Sequence, residues 1–358
     1  MGVKNMNLLM KVLNQYQKFT FKTATKNIIY NWQTREKYMS FGSKNPDKRF
    51  YVIRSLADTS KYYIGPRHNL MANYFYVLSH LANARLNGWI PIVDQLNYPV
   101  YISQPRPIHG SYNAWEYFWE QPSAYSLEEV YKSKHVILSK QNWYWQWDMG
   151  YDVVNYINQE LVSQYHDLSC LVPLNKQMKS YCQEVKDNLA MVNERVLGVS
   201  VRIAGHSANA FYQGPGHPKQ PSAEEMVHIV ETYLDLWNMK KVFLATDSDY
   251  AVMKFQEAFG NHLITMSRLR SPIGYDQKKD SVKPMYAVDH IIQTTKDYLA
   301  EMEALASCTG LLGSVSSGLR YAVVRNNGKY EKIKILDYGR FNDERRRGDK
   351  VKISFVKR

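Results

Sequence analysis

Three short stretches in the second half of the chain carry the groups that a phosphorylated ligand would need. Arg202 closes the apolar run 196–202, Asp247 closes the run 241–247, and Ser314-Val315-Ser316-Ser317-Gly318 joins a third apolar run to an amphipathic segment. A guanidinium grips phosphate oxygens in a bidentate fork. A serine-rich turn that opens a helix offers free backbone N–H groups and hydroxyls to an anion. Each has a plainer alternative: a surface ion pair for Arg202, and helix caps for the serines and for Asp247. Asp247-Ser248-Asp249 also has the form of a DxD metal motif, but its place directly at a strand end favours the cap. The chain contains no Walker A sequence, no GxGxxG after its first strand and no HExxH or paired metal-ligand cluster. P-loop hydrolysis, dinucleotide redox chemistry and a resident metal therefore lack their usual signatures.

These groups work together only if the sequence around them builds parallel strands, and its pattern does. Apolar runs at 50–54, 89–94 and 135–139 read as strands, with a helix over 69–87 capped by Gly88 and another starting at Ser126 with a capping-box pattern. The second half repeats this grammar. Strands are expected at 196–202, 241–247, 263–267, 310–314 and 332–338. The helices between them are expected at 222–238, up to 259, at 287–307 and from 317. Residues 204–221 form a loop rich in Gly, Pro, Ser and Asn, and 268–286 read as a mobile loop. Such alternation predicts an α/β fold of two doubly wound halves. The expected organisation is a basic helical segment over 1–49, a Rossmann-like domain over 50–180 and a second over 181–358. Ligands of open parallel sheets bind at the carboxyl ends of the strands, where Arg202, Asp247 and the Ser314–Ser317 turn fall.

Taken in order, Gly198-Val199-Ser200-Val201-Arg202, Gly216-His217-Pro218-Lys219-Gln220-Pro221, Phe243-Leu244-Ala245-Thr246-Asp247, Leu299-Ala300-Glu301 and Ser314-Val315-Ser316-Ser317 resemble the α1,6-fucosyltransferase and nodulation-fucosyltransferase superfamily. The resemblance covers roughly 196–325 and extends to bacterial polysaccharide-biosynthesis relatives. Residues 69–94, Asn113-Ala114-Trp115-Glu116-Tyr117 and Glu120-Gln121-Pro122 are similar to the bacterial relatives alone. The resemblance implies a GT-B-like fold of two Rossmann-like domains facing across a cleft. It further implies inverting transfer from GDP-fucose without a metal or other cofactor, to a surface glycan or lipid-linked acceptor. It assigns Arg202 to the donor's β-phosphate, with Ser316 and Ser317 beside that phosphate, and Glu301 to the guanine edge. His217, Pro218, Gln220 and Asp247 fall at the remaining donor-side motif positions. Where the family writes His-x-Arg-Arg-x-Asp, this chain has Ser200, Ile203 and Gly205 in place of the His, the second Arg and the Asp. Ser248 stands in for the second acid after Asp247. The alternatives are another GDP-linked sugar, or a relative that binds glycan or nucleotide without turnover.

Inverting transfer benefits from a base on the acceptor hydroxyl. Residues 203–222 contain no Asp or Glu, leaving His206 and His217 as the only ordinary titratable bases of that loop. His206 is the candidate base, His217 is given a structural or donor-binding role by the rigid Pro218 after it, and Asp94 is a further candidate at a strand end. Trp115, Tyr117, Phe118 and Trp119, then Trp143, Tyr144, Trp145 and Trp147, suit either an acceptor-glycan groove or the core. The net charge is +13, yet it is concentrated at the ends. Residues 1–49 hold 10 Lys/Arg against 2 Asp/Glu, residues 319–358 hold 13 against 5, and the middle holds 23 against 26. That distribution argues against a nucleic-acid partner. A helical stripe over 5–31 with lysines off it would instead suit docking at an anionic inner membrane face. Cys170, Cys182 and Cys308 form no CxxC, and no apolar run spans a bilayer or makes a signal-peptide core, so a cytoplasmic location is expected.

Overall fold

Two sheets organise the computed structural model, which describes residues 34–56, 70–144, 149–191, 194–203, 217–273 and 288–341. The first holds β1 (Lys37–Met39), β2 (Phe50–Arg54), β3 (Ile90–Asp94) and β4 (Val136–Leu138) in the order β1-β4-β2-β3. Phe50 stands opposite both Ile90 and Val136, so β2 runs parallel to each neighbour. β1, which the sequence reading did not include, pairs antiparallel with β4 and makes an antiparallel edge on a parallel centre. Helix α1 (Leu70–Leu86) crosses from β2 to β3, and Gly88 after it takes φ +64°, the left-handed conformation expected of a helix-ending glycine. Helix α2 (Leu127–Val130) starts at the Ser126 cap but lasts a single turn.

The second half matches its expected elements closely. β5 (Val196–Val201), β6 (Lys241–Thr246), β7 (Leu263–Thr265), β8 (Gly310–Ser314) and β9 (Lys332–Leu336) form one fully parallel sheet ordered β7-β6-β5-β8-β9. β5 and β8 are buried along their whole length, which explains their near-continuous apolar sequence. The crossovers are helices, and three of them begin on side-chain caps. After α3 (Val153–Ile157), α4 (Gln159–Cys170) and α5 (Lys176–Asn188), α6 (Ala223–Leu236) starts with the Ser222–Glu225 capping box, and α7 (Asp249–Phe259) starts at Ser248. α8 (Val288–Ala306) follows β7, and α9 (Ser317–Arg325) starts at Ser316. Strand order reverses between β5 and β8, which is where open α/β sheets leave a crevice.

Three helices between the sheets were not foreseen. α3 (Val153–Ile157), α4 (Gln159–Cys170) and α5 (Lys176–Asn188) are capped by Asp152, Asn158 and Asn175. α4 buries Val162, Tyr165 and Leu168, while α5 buries Met178, Cys182 and Val185. With α1, α8 and α9 they close one apolar cluster that runs from Tyr51 and Tyr74 to Leu305 and Tyr321. The outer faces of the two sheets have clusters of their own. Trp115, Tyr117, Phe118 and Trp119 are at most 2% exposed; Trp115 and Trp119 pack on Tyr74 and Phe118 on Trp119, so these four belong to the core. Trp143 and Tyr144 are partly buried. Residues 1–33, Trp145 and Trp147, and 342–358 lie outside the described residues. Among the described residues no helix is long and apolar enough to cross a membrane.

Candidate functional site

The strand-end groups of the second sheet meet around one small recess, open to solvent, at the carboxyl edge of β5 and β6. Arg202, Asp247, Glu301 and Ser316 all line it, together with Arg268 and Tyr298. Arg202 follows β5 and Asp247 follows β6, and Val201 stands opposite Thr246 in the parallel register. The two side chains therefore come out side by side. Arg202 donates to the Asp247 carboxylate at 3.1 Å, and the Ile203 backbone N–H donates to its other oxygen at 3.1 Å. This corrects the cap reading of Asp247. Ser248 caps α7 by accepting from the Ala251 N–H, and Asp247 orients Arg202.

Ser316 caps α9 from the opposite side, its hydroxyl accepting from the Leu319 N–H at 3.2 Å. The helix N-terminus, with its partial positive charge, thus borders the recess. Neighbouring residues hold the β8–α9 turn in place. Tyr156 donates to the Ser316 carbonyl at 3.2 Å, and the Tyr151 and Ser317 hydroxyls are 2.6 Å apart. Gln220 donates to the Val315 carbonyl at 3.0 Å and accepts from the Ser314 hydroxyl. His217, Pro218, Gln220 and Ser317 therefore stand beside the recess, while Arg202, Asp247, Glu301 and Ser316 line it. The His217 carbonyl accepts from Phe341 N–H, and Pro218 bridges to Arg340. Partial desolvation, and then the nearby Arg202 charge, lowers the His217 pKa below its usual 6.5, so the imidazole is neutral near pH 7. His206 lies outside the described residues.

Two arginines escaped the sequence reading. Residues 268–273, read as the start of a mobile loop, are docked on the sheet: Ser271 N–H and hydroxyl both donate to the Asp247 carbonyl, at 2.9 and 2.7 Å. Arg268 and Arg270 each take one oxygen of Glu301, at 2.8 and 3.4 Å, and Glu301 is fully buried. Glu301, for which the resemblance implies guanine recognition, is thus engaged by two guanidiniums. Arg268 directly follows the expected strand 263–267, so the strand-end rule reaches it, while nothing in the sequence marks Arg270. Burial pushes the Tyr298 phenol up to about 12 against the pull of both Arg202 and Arg268, so it keeps its proton as a donor.

Asp94 has no comparable setting. It is fully buried and accepts from Leu96 and Asn97 N–H, from the Asn97 amide and from the Tyr131 hydroxyl. Its carboxylate fixes the turn after β3 and has no solvent path for acting as a base. Among the described residues no three His, Cys, Asp or Glu side chains gather as a metal cluster.

Fold and site together define an α/β protein with a recess at the switch point of its second sheet, lined by the Arg202–Asp247 and Arg268–Glu301 pairs and by the start of α9. No protein-family model matches the chain, and no curated protein matches its sequence. Solved structures do align with it over most of its length. The chain is similar to NodZ α1,6-fucosyltransferase soaked with GDP-fucose, at 14% identity and a TM-score of 0.46, covering 81% of this chain and 96% of that one. It is similar to fucosyltransferase NodZ from Bradyrhizobium at 15% identity and 0.44, with 81% and 96% covered. With an Arabidopsis thaliana FUT1 variant in complex with GDP the values are 11% and 0.43, with 84% and 72% covered.

Proposed function

We propose that the protein is an inverting glycosyltransferase that uses a GDP-linked sugar, fucose first among them, and transfers it to a hydroxyl of a surface glycan or lipid-linked oligosaccharide. The observation that carries this reading is the meeting of the Arg202 guanidinium with the N-terminus of α9 in one recess at the switch point. In the proposed reaction the acceptor oxygen bonds to the anomeric carbon from the face opposite the leaving group. The bond from that carbon to the phosphate oxygen breaks, GDP leaves, and the acceptor's proton passes to a base. Arg202, held by Asp247, and the α9 N-terminus stabilise the charge that develops on the diphosphate, in place of a metal. His206 is the proposed base, and His217 belongs to the donor side.

A nucleotide screen tests the reading. GDP at about 100 times its dissociation constant should stabilise the folded chain by about 2.7 kcal/mol, while UDP and CMP should not. Arg202→Ala should remove the GDP shift and lower transfer at least about 100-fold, since the charge-stabilising donors of such sites are worth that much. The absence of any GDP shift in the wild-type chain would overturn the reading. The acid-free loop 203–222 favours a second reading, binding without turnover. Release of GDP from GDP-fucose with an acceptor, lost in Arg202→Ala, would eliminate it. The proposed location is cytoplasmic, peripheral at an anionic membrane face.

A further inference from the structure

We propose that Arg268 is a second anion-gripping guanidinium of this recess, positioned by Glu301, and that the ligand it serves carries two linked phosphates. The inference rests on the donor-site reading but concerns a residue that the reading does not use. Arg268 and Arg270 share Glu301, yet the rest of their surroundings differ. Arg270 spends its donors on the protein: Nε on the Thr246 carbonyl, Nη2 on the Met266 carbonyl and the Thr265 hydroxyl. It does not line the recess.

Arg268 does line it. Its side chain is only 5% exposed, and it donates to the Thr246 carbonyl and to Glu301, each at 2.8 Å. Its Nε is buried with no hydrogen-bond partner, and Nη1 has a long 3.4 Å contact to the Leu269 carbonyl. A buried donor left without a partner is costly, and an anion oxygen entering the recess would relieve that cost. Arg202 approaches the same space from β5, and Tyr298 lies within the electrostatic reach of both guanidiniums. With the α9 N-terminus as a third positive element, the recess offers more donors than one phosphate needs. Two linked phosphates supply enough oxygens to engage all three.

Titration calorimetry on the full chain with inorganic pyrophosphate, GDP and GMP tests this. Wild-type protein should bind pyrophosphate and GDP about tenfold or more tighter than GMP, the value of an added charged hydrogen bond. Two variants remove the Arg268 contact. Arg268→Gln leaves Glu301 paired with Arg270 and so strands no buried charge, and Arg268→Lys keeps the charge and the Glu301 pairing while losing the planar fork. Each should weaken pyrophosphate and GDP about tenfold or more and change GMP little. Affinities within about twofold of wild type in a cooperatively melting variant would overturn the proposal. The conservative Lys variant decides the matter should the Gln variant fail to fold. Pyrophosphate binding that depends on Arg268 without any turnover of GDP-sugars sinks the donor reading and keeps this one. Turnover indifferent to both variants does the reverse.

Discussion

Arginines close strands in both halves, and their partners separate their roles. Arg54, at the end of β2, spends its guanidinium on the Ser139 and Arg35 carbonyls, which closes the edge of the first sheet. Arg202 instead meets a carboxylate and keeps about a quarter of its side chain, 27%, exposed. A buried histidine gives the sharpest residue-level prediction. The Asn142 carbonyl can only accept, so His80 Nε2 carries the proton and Nδ1 accepts from the Tyr51 hydroxyl, at 3.1 and 2.9 Å. Burial, the largest cause, takes the His80 pKa down from 6.5 to about 3. The unfolded chain therefore binds a proton there that the folded protein refuses. The corresponding stability is full above about pH 6.5 and is lost as pH falls toward 3, by about 2 kcal/mol at pH 5. Urea midpoints measured near pH 7.5 and pH 5 should separate less in His80→Gln than in wild type. An equal loss in both would show that His80 is not the group responsible.

At the scale of elements, the second sheet depends on how closely α8 approaches it. A Cβ at Gly198, in the middle of β5, would lie 2.8 Å from Leu305 Cδ1 and 2.9 Å from Cys308 Sγ. The glycine in this strand is thus required by packing, not by backbone conformation. Gly198→Ala should cost about 1–3 kcal/mol of unfolding free energy, as overpacked cores do. Cys308→Ala in the same chain should recover part of the loss, because it removes one of the two clashing atoms. A denaturation midpoint unchanged by Gly198→Ala would contradict the close approach. The same α8 carries Tyr298 and Glu301 to the recess, so its seating on β5 also sets the site.

At the scale of the molecule, the two halves share a core. Tyr74 of α1 touches Tyr321 of α9, ring centroids 5.1 Å apart, and the Arg320 guanidinium lies 3.8 Å over the Phe75 ring. A continuous apolar cluster of this kind predicts one cooperative thermal transition with equal calorimetric and van't Hoff enthalpies. Two resolved transitions would show that the halves unfold independently. The charge distribution belongs to this scale too. The site lies in the part of the sequence with a net charge of −3, and the excess of basic over acidic residues lies at the two ends. Deleting residues 1–31 should release the protein from vesicles of anionic lipid, and this release should match that produced by high salt in the intact chain. Unchanged vesicle binding would reject the membrane proposal.

Period and capping are local properties, so the sequence by itself determined the strands of the second sheet, their crossover helices and the strand-end positions of Arg202, Asp247 and Ser316. It also identified Gly88 and the Ser222–Glu225 box, because a left-handed turn and a free helix end restrict residue type directly. Which side chain answers which was beyond it. That Asp247 holds Arg202 while Ser248 caps α7 follows from the register of β5 on β6. The burial of Arg268 and Arg270 against Glu301 joins positions more than thirty residues apart through the packing of α8 on the sheet. Helices α4 and α5 carry apolar stripes and begin on Asn caps, but their mixed, largely polar composition hid them. Only the tertiary structure shows that they join the two halves, since a buried face is defined by the surface it meets.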